Sequence, residues 1–169
     1  MRAKVLSMSS EQRLAASAEI FRRVAESDVF RNAECVAVYI SLPDEPQTDN
    51  FLARFAHLKQ LVVPRVEGCQ IEFCEYSPDR LQRGAFGIPE PTSDAPLCPA
   101  DRIDLLILPG TAFTRNGIRM GRGGGFYDRY LSRTDLQAAT VGVCFEAQIA
   151  ESLPAEPHDI PVSMVITER

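Results

Sequence analysis

The amino-acid sequence predicts an α/β protein, a single-domain open, mostly parallel sheet with helices on both faces. Two observations carry this expectation. Runs at residues 35–40, 61–63, 104–108, 140–145 and 162–167 are apolar or β-branched along most of their length rather than alternating, as in strands buried on both faces. Segments with helical spacing separate them, and a chain that takes strands and helices in turn pairs its strands in parallel. A length of 169 residues suits one domain, 1–169, with one core.

The elements follow in order. Ser9 or Ser10 is placed to cap a helix in which Leu14, Ala18, Phe21 and Ala25 recur on one face, with Arg13, Arg22 and Arg23 off it, ending near Asp28. Residues 35–40 form a buried strand stopped by the prolines at 43 and 46. Thr48 or Asp49 caps a second helix with Phe51, Phe55 and Leu58 on its buried face, and residues 61–63 form a strand before Pro64. Residues 70–76 alternate imperfectly, as a more exposed strand does, whereas 77–101 are rich in proline and glycine and read as a long functional or mobile loop. Residues 104–108 are the clearest buried strand; a glycine-rich loop, a short helix beginning at about 127 and two last strands complete the chain.

Composition excludes several functions. Nothing approaches the roughly 18 apolar residues of a membrane span, and the N-terminus lacks the apolar stretch of a secretory signal, so a cytoplasmic, membrane-free protein is expected. Five cysteines with no C-x-x-C motif suggest buried reduced thiols, and two histidines are too few for a structural zinc site. A net charge of −5 argues against nucleic acid as a partner. A monomer acting on small molecules is the expected state.

In parallel sheets ligands bind beyond the carboxyl ends of the strands, which gathers the loops 41–48, 109–128 and 146–161. The second holds RMGRGGGFYD at 119–128, with four of the ten glycines. Glycines let backbone N–H groups approach an anion, and Arg119 and Arg122 add positive charge. The alternative is a flexible surface turn. The segment is not a dinucleotide fingerprint, because the third glycine position falls on Phe126. Nor is it a Walker loop, because the only lysines are Lys4 and Lys59. Asp128 either ligates Mg²⁺ beside a phosphate or caps a helix. Asp159 in HDIPV either does the same or closes a turn, and His158 is read as a local packing residue. Glu45, between prolines, either binds an amine or amide of a substrate or is a solvated turn carboxylate. Phe86, Ile88 and Pro89 can wall a flat ligand or fill a satellite core. No Ser/His/Asp or Cys/His set suggests a covalent nucleophile.

With these residues in view, LPGTAFTRNGIRMGRGGGFYDRYL at 108–131 resembles the signature of the 5-formyltetrahydrofolate cyclo-ligase family. YISLPDE at 39–45, GIPEP at 87–91 and HDIPV at 158–162 join it in the family's order, so nearly the whole chain is covered. The resemblance implies an ATP- and Mg²⁺-dependent enzyme that converts 5-formyltetrahydrofolate to 5,10-methenyltetrahydrofolate, ADP and phosphate. It implies that Arg119, Met120, Gly121, Arg122, Gly123, Gly124, Gly125, Phe126 and Tyr127 hold ATP. Arg122, Gly123, Gly124, Gly125 and Phe126 would also border the folate, together with Ile40, Glu45 and Phe86. Asp128 and Asp159 would bind Mg²⁺, and Arg122 would act catalytically on phosphoryl charge. The family commonly carries a Lys/Arg pair on an N-terminal helix that reaches the nucleotide, a place taken here by Lys4 with Arg2. Ser163 and Thr114 stand where relatives often have aspartate, and Phe86 where they often have a larger aromatic.

Overall fold

A computed structural model describes every residue except Phe86. Helices α1 (Arg2–Leu6), α2 (Ser10–Glu26) and α3 (Asp28–Asn32) precede strand β1 (Cys35–Val38), and α4 (Asp49–Phe55) leads into β2 (Gln60–Glu67) and its hairpin partner β3 (Gln70–Glu75). Three short strands follow: β4 (Leu81–Arg83), β5 (Pro89–Pro91) and β6 (Leu97–Cys98). Then come β7 (Leu105–Leu108), β8 (Ala112–Phe113), β9 (Arg119–Met120), α5 (Phe126–Leu131), β10 (Ala139–Val143) and β11 (Met164–Ile166).

The main sheet has seven strands in the order β11-β10-β7-β1-β2-β3-β6. Its first five are parallel, and the antiparallel β3 and β6 extend one edge. The continuous apolar runs have a direct cause. Val36, Val38, Leu105, Ile107, Val141 and Val143 face a layer built from Ile20, Val24, Phe30, Phe51 and Phe55 of α2–α4. The residues between them, such as Ala37, Leu106 and Leu108, face Phe73, Phe113, Tyr130 and Leu131 on the other side. The two faces are covered unequally, since among the described residues the second is covered by α5, by Phe113 of the β8–β9 hairpin and by loop segments.

Ser9 caps α2, accepting from Gln12 N while the Gln12 side chain accepts from Ser9 N. The buried stripe of α2 differs from the expected one: Leu14 and Ala18 are exposed, and Ala16, Ser17, Ile20, Phe21 and Val24 are buried. Several alanines made two stripes equally apolar, and Ser17 is accommodated because its hydroxyl donates to Arg13 O and accepts from Gln47 N. Leu58 likewise falls beyond the end of α4 and is exposed.

Pro64 does not end β2. It lies opposite Phe73, three pairs from the hydrogen-bonded pair of Leu61 and Tyr76; since hydrogen-bonded and non-hydrogen-bonded pairs alternate, its nitrogen points away from β3. On the other side its nitrogen faces β1, and the parallel ladder that starts with Gln60 N donating to Glu34 O ends at the Ala37–Val62 pair, just before the proline. The segment 77–101 is not a structureless loop. Its β4–β5 hairpin is tied to β2 by Arg65 donating to Thr92 O and Val66 N donating to Glu90 Oε2. Strands of two or three residues carrying prolines leave no periodicity for a sequence to display.

Candidate active site

A cleft of about 650 Å³ opens where β1 and β7 end. Tyr39 and Ile40 enter it from the end of β1, and Pro109 and Gly110 from the end of β7. The long connection after β7 first folds into the β8–β9 hairpin, pairing Phe113 with Arg119 and Ala112 with Met120. That pairing starts the glycine loop from a fixed point. Residues 119–128 then line the cleft without a break as far as the first turn of α5. Gly123 and Gly125 have φ of 96° and 69°, a left-handed region that favours glycine, and Gly125 is the residue from which α5 starts.

Two arginines serve different positions. The Arg119 side chain is only 5% exposed; its Nη1 donates to Pro109 O at 3.0 Å and its Nη2 lies 3.4 Å from Asp128 Oδ1. The Tyr127 ring is 5.4 Å from the same guanidinium. Its Nε is buried without a hydrogen-bond partner among the described residues, an uncommon state for such a strong donor. Arg122 reaches outward across the cleft to the loop 41–48, meeting Asp44 at 2.7 Å and Glu45 at 3.2 Å.

Glu45 is buried rather than a solvated turn carboxylate, and its Oε2 accepts from Leu42 N at 2.8 Å. Burial pushes its carboxyl above the usual range, outweighing the Leu42 N–H and the Arg122 guanidinium. At Asp44 burial acts in the same sense, but the hydrogen bonds from Arg122 win and hold it below the usual range. Burial, with Glu45's charge adding to it, raises the phenols of Tyr39 and Tyr127. Tyr39 donates to Pro46 O at 2.6 Å and so anchors this loop from beneath.

The other expected residues are placed as follows. Ile40, Glu45, Asp128 and Asp159 all line the cleft, as do Ile88 and Pro89. Asp159 closes a turn, its Oδ2 accepting from Glu156 N at 2.7 Å, and His158 pairs locally with Glu156 at 3.3 Å. Lys4 lies on α1 and is not among the lining residues; Arg2 is the basic residue of that helix joined to the site, 3.3 Å from Asp44. Phe86 lies outside the described residues. The apolar wall contributed by Pro64, Val66 and Ile71 of the β2–β3 hairpin was not anticipated. Its signal was faint: two isolated apolar residues flanking a Gly-containing turn in a polar stretch.

Among the described residues no group of three His, Cys, Asp or Glu side chains converges to hold a metal. None of the described helices is long and apolar enough to cross a membrane.

Residues 1–168 match the family model described as the 5-formyltetrahydrofolate cyclo-ligase family. The chain belongs to that family. It is similar to the 5-formyltetrahydrofolate cyclo-ligase of Escherichia coli K12, with 34% identity across 80% of this chain and 78% of the relative. Similarity to the mouse 5-formyltetrahydrofolate cyclo-ligase is 25% but spans 99% of this chain and 90% of the relative. The match to the Mycolicibacterium smegmatis cyclo-ligase, at 35% identity, spans about half of that relative, 52%. Among solved structures, the 5,10-methenyltetrahydrofolate synthetase of Aquifex aeolicus superposes with a TM-score of 0.88 at 34% identity, covering 99% of this chain and 88% of that one. The synthetase of Mycoplasma pneumoniae shares the fold with a TM-score of 0.80 at 20% identity. The cyclo-ligase family membership makes the chain an enzyme and its sheet the one seen in these synthetases.

Proposed function

We propose that the cleft binds ATP and 5-formyltetrahydrofolate together and cyclises the folate to 5,10-methenyltetrahydrofolate, releasing ADP and phosphate. The observation that carries this reading is the union, in one cleft, of a glycine loop bearing two guanidiniums with a buried carboxylate and an apolar wall. The loop suits polyphosphate, with backbone N–H groups and Arg119 for its charge and the unpartnered Arg119 Nε available to an acceptor. Glu45 suits the N–H donors of a pterin, and Ile40, Val66, Ile71 and Ile88 suit its flat apolar surface.

In the proposed reaction the N5-formyl oxygen attacks the γ-phosphorus and the bond to ADP breaks, leaving an imidoyl phosphate. N10 then adds to the formyl carbon, the carbon–oxygen bond breaks with loss of phosphate, and the N10 proton departs. Negative charge grows on phosphoryl oxygens in the first step. Arg122 meets that charge after leaving Asp44 and Glu45, while the glycine loop holds the phosphates in line. No protein nucleophile is required, in accord with the side chains present.

Mg²⁺ fits the donor set: Asp128 and Asp159 are hard oxygen ligands on the same cleft, and Mg²⁺ in phosphoryl-transfer sites takes one or two carboxylates beside phosphate oxygens rather than a full protein cage. When bound it would screen phosphate charge. Asp128 would have to share its carboxylate with Arg119, and Asp159 would offer Oδ1, which lies 3.7 Å from His158 Nε2, since Oδ2 is engaged by Glu156 N.

The test is the purified protein with 5-formyltetrahydrofolate and MgATP. The expected product absorbs near-ultraviolet light and forms only with ATP. Binding without turnover would make this a folate- or nucleotide-binding relative instead, and turnover without nucleotide would rule the reading out.

A further inference from the structure

Arg129 follows the last cleft-lining residue of the glycine loop and does not itself line the cleft. Side chains on a helix lean back toward its N-terminus, and the Arg129 guanidinium accordingly folds back behind the loop. Its Nη2 donates to Gly124 O at 2.8 Å and also to Cys69 O, the tip of the β2–β3 hairpin. The guanidinium carbon lies 5.3 Å from the centre of the Phe126 ring. The fit against the loop is close, for a Cβ on Gly125 would come within 2.7 Å of Arg129 Nη1.

The consequence comes from the geometry of one peptide unit. In a trans peptide the carbonyl of Gly124 and the N–H of Gly125 point in opposite directions. Fixing the Gly124 oxygen toward Arg129 and the hairpin tip therefore turns the Gly125 N–H the other way, to the side on which residues 123–126 line the cleft. A glycine pair has little intrinsic preference for either orientation of the peptide between them, so an external clamp decides it. The clamp also joins the loop to the hairpin that supplies Val66 and Ile71 to the apolar wall.

We infer that Arg129 is a positioning residue for the reaction: it holds the Gly124–Gly125 peptide in the one orientation that presents the Gly125 N–H to a nucleotide phosphate. The inference rests on the proposed role of the glycine loop in binding ATP. Arg129 acts through the backbone and touches neither substrate.

The test compares Arg129→Met, which keeps the length and loses the donors, with Arg129→Lys, whose ammonium can still donate to a carbonyl but lacks the fork. Affinity for a non-hydrolysable ATP analogue is measured by calorimetry, KM for ATP by turnover, and the Gly125 amide by nuclear magnetic resonance during nucleotide titration. Loss of one well-oriented hydrogen bond to a charged acceptor predicts that Arg129→Met weakens nucleotide binding about ten-fold. Arg129→Lys should recover part of that loss. In the unsubstituted protein the Gly125 amide should shift on nucleotide binding, and in Arg129→Met it should respond little. A role confined to stability would lower the melting temperature and leave the KM for ATP unchanged. Nucleotide affinity within about two-fold of the unsubstituted protein, with the Gly125 response intact, overturns the inference while leaving the proposed reaction standing. Failure of the unsubstituted protein to bind nucleotide overturns both.

Discussion

Replacing Arg122 by alanine isolates the group that the account asks to meet phosphoryl charge. A preorganised donor aimed at a developing oxyanion contributes about 10²–10³ in kcat, or roughly 2.7–4 kcal/mol. Against that stands the cost of leaving its present partners. The Arg122 side chain is 38% exposed, and its contacts with Asp44 at 2.7 Å and Glu45 at 3.2 Å are of the partly solvated kind, worth about 0.2–1 kcal/mol each. The difference centres on about 2 kcal/mol and predicts a fall in kcat/KM for ATP of about 30-fold. Steady-state turnover at varied ATP measures it. The same substitution leaves Asp44 paired with Arg2 but removes the one cation that is ion-paired with Glu45 among the described residues. Glu45 is then harder to ionise, so the variant should lose stability mainly as pH rises, and melting curves at about pH 5 and pH 8 separate this from the catalytic effect. A kcat/KM within about three-fold of the unsubstituted protein would refute the reasoning and assign the phosphate entirely to backbone N–H groups and Arg119.

Glu45→Gln should raise the KM for 5-formyltetrahydrofolate about ten-fold and change that for ATP far less, as seen by varying each substrate in turn. Because burial lifts the Glu45 carboxyl above its usual range, its contribution to stability is complete at low pH and lost as pH rises through the folded-state value. The melting temperature of Glu45→Gln should therefore gain on the unsubstituted protein with rising pH, and a constant gap would contradict the assignment. Asp128→Asn should raise the Mg²⁺ concentration needed for half-maximal turnover, and undiminished turnover in excess chelator would remove the metal from the scheme. Tyr39→Phe leaves Pro46 O without its 2.6 Å donor inside the protein, a loss of about 1–3 kcal/mol that scanning calorimetry should register as a fall in melting temperature of a few degrees.

The parallel centre of the sheet was legible because its strands are buried on both faces, and Val36, Ala37 and Val38 are apolar whichever way they point. The antiparallel edge was harder to place. Pro64 reads as a strand breaker until its register opposite Phe73 is known, β6 owes its existence to pairing with β3 about 25 residues earlier, and the β4–β5 hairpin is held by contacts to β2. The glycine loop was visible as chemistry, since its residues are contiguous. What sequence could not supply is the meeting of loops about 80 residues apart, in which Arg122 lies on Asp44 and Glu45. Nor could it decide between Arg2 and Lys4, neighbours on one short helix, of which Arg2 contacts Asp44. Glu45 shows the value of the third dimension most plainly: flanked by prolines it looks like a surface turn, yet it is 5% exposed.

In the proposed reaction the formyl oxygen becomes a phosphate oxygen. The most direct measurement supplies the purified protein with MgATP and 5-formyltetrahydrofolate carrying a heavy-oxygen label in the formyl group, then analyses both products by mass spectrometry. The expected result is methenyl product with the label recovered in inorganic phosphate. Absence of methenyl product would contradict the assigned activity, and methenyl product accompanied by unlabelled phosphate would contradict the proposed phosphoryl transfer.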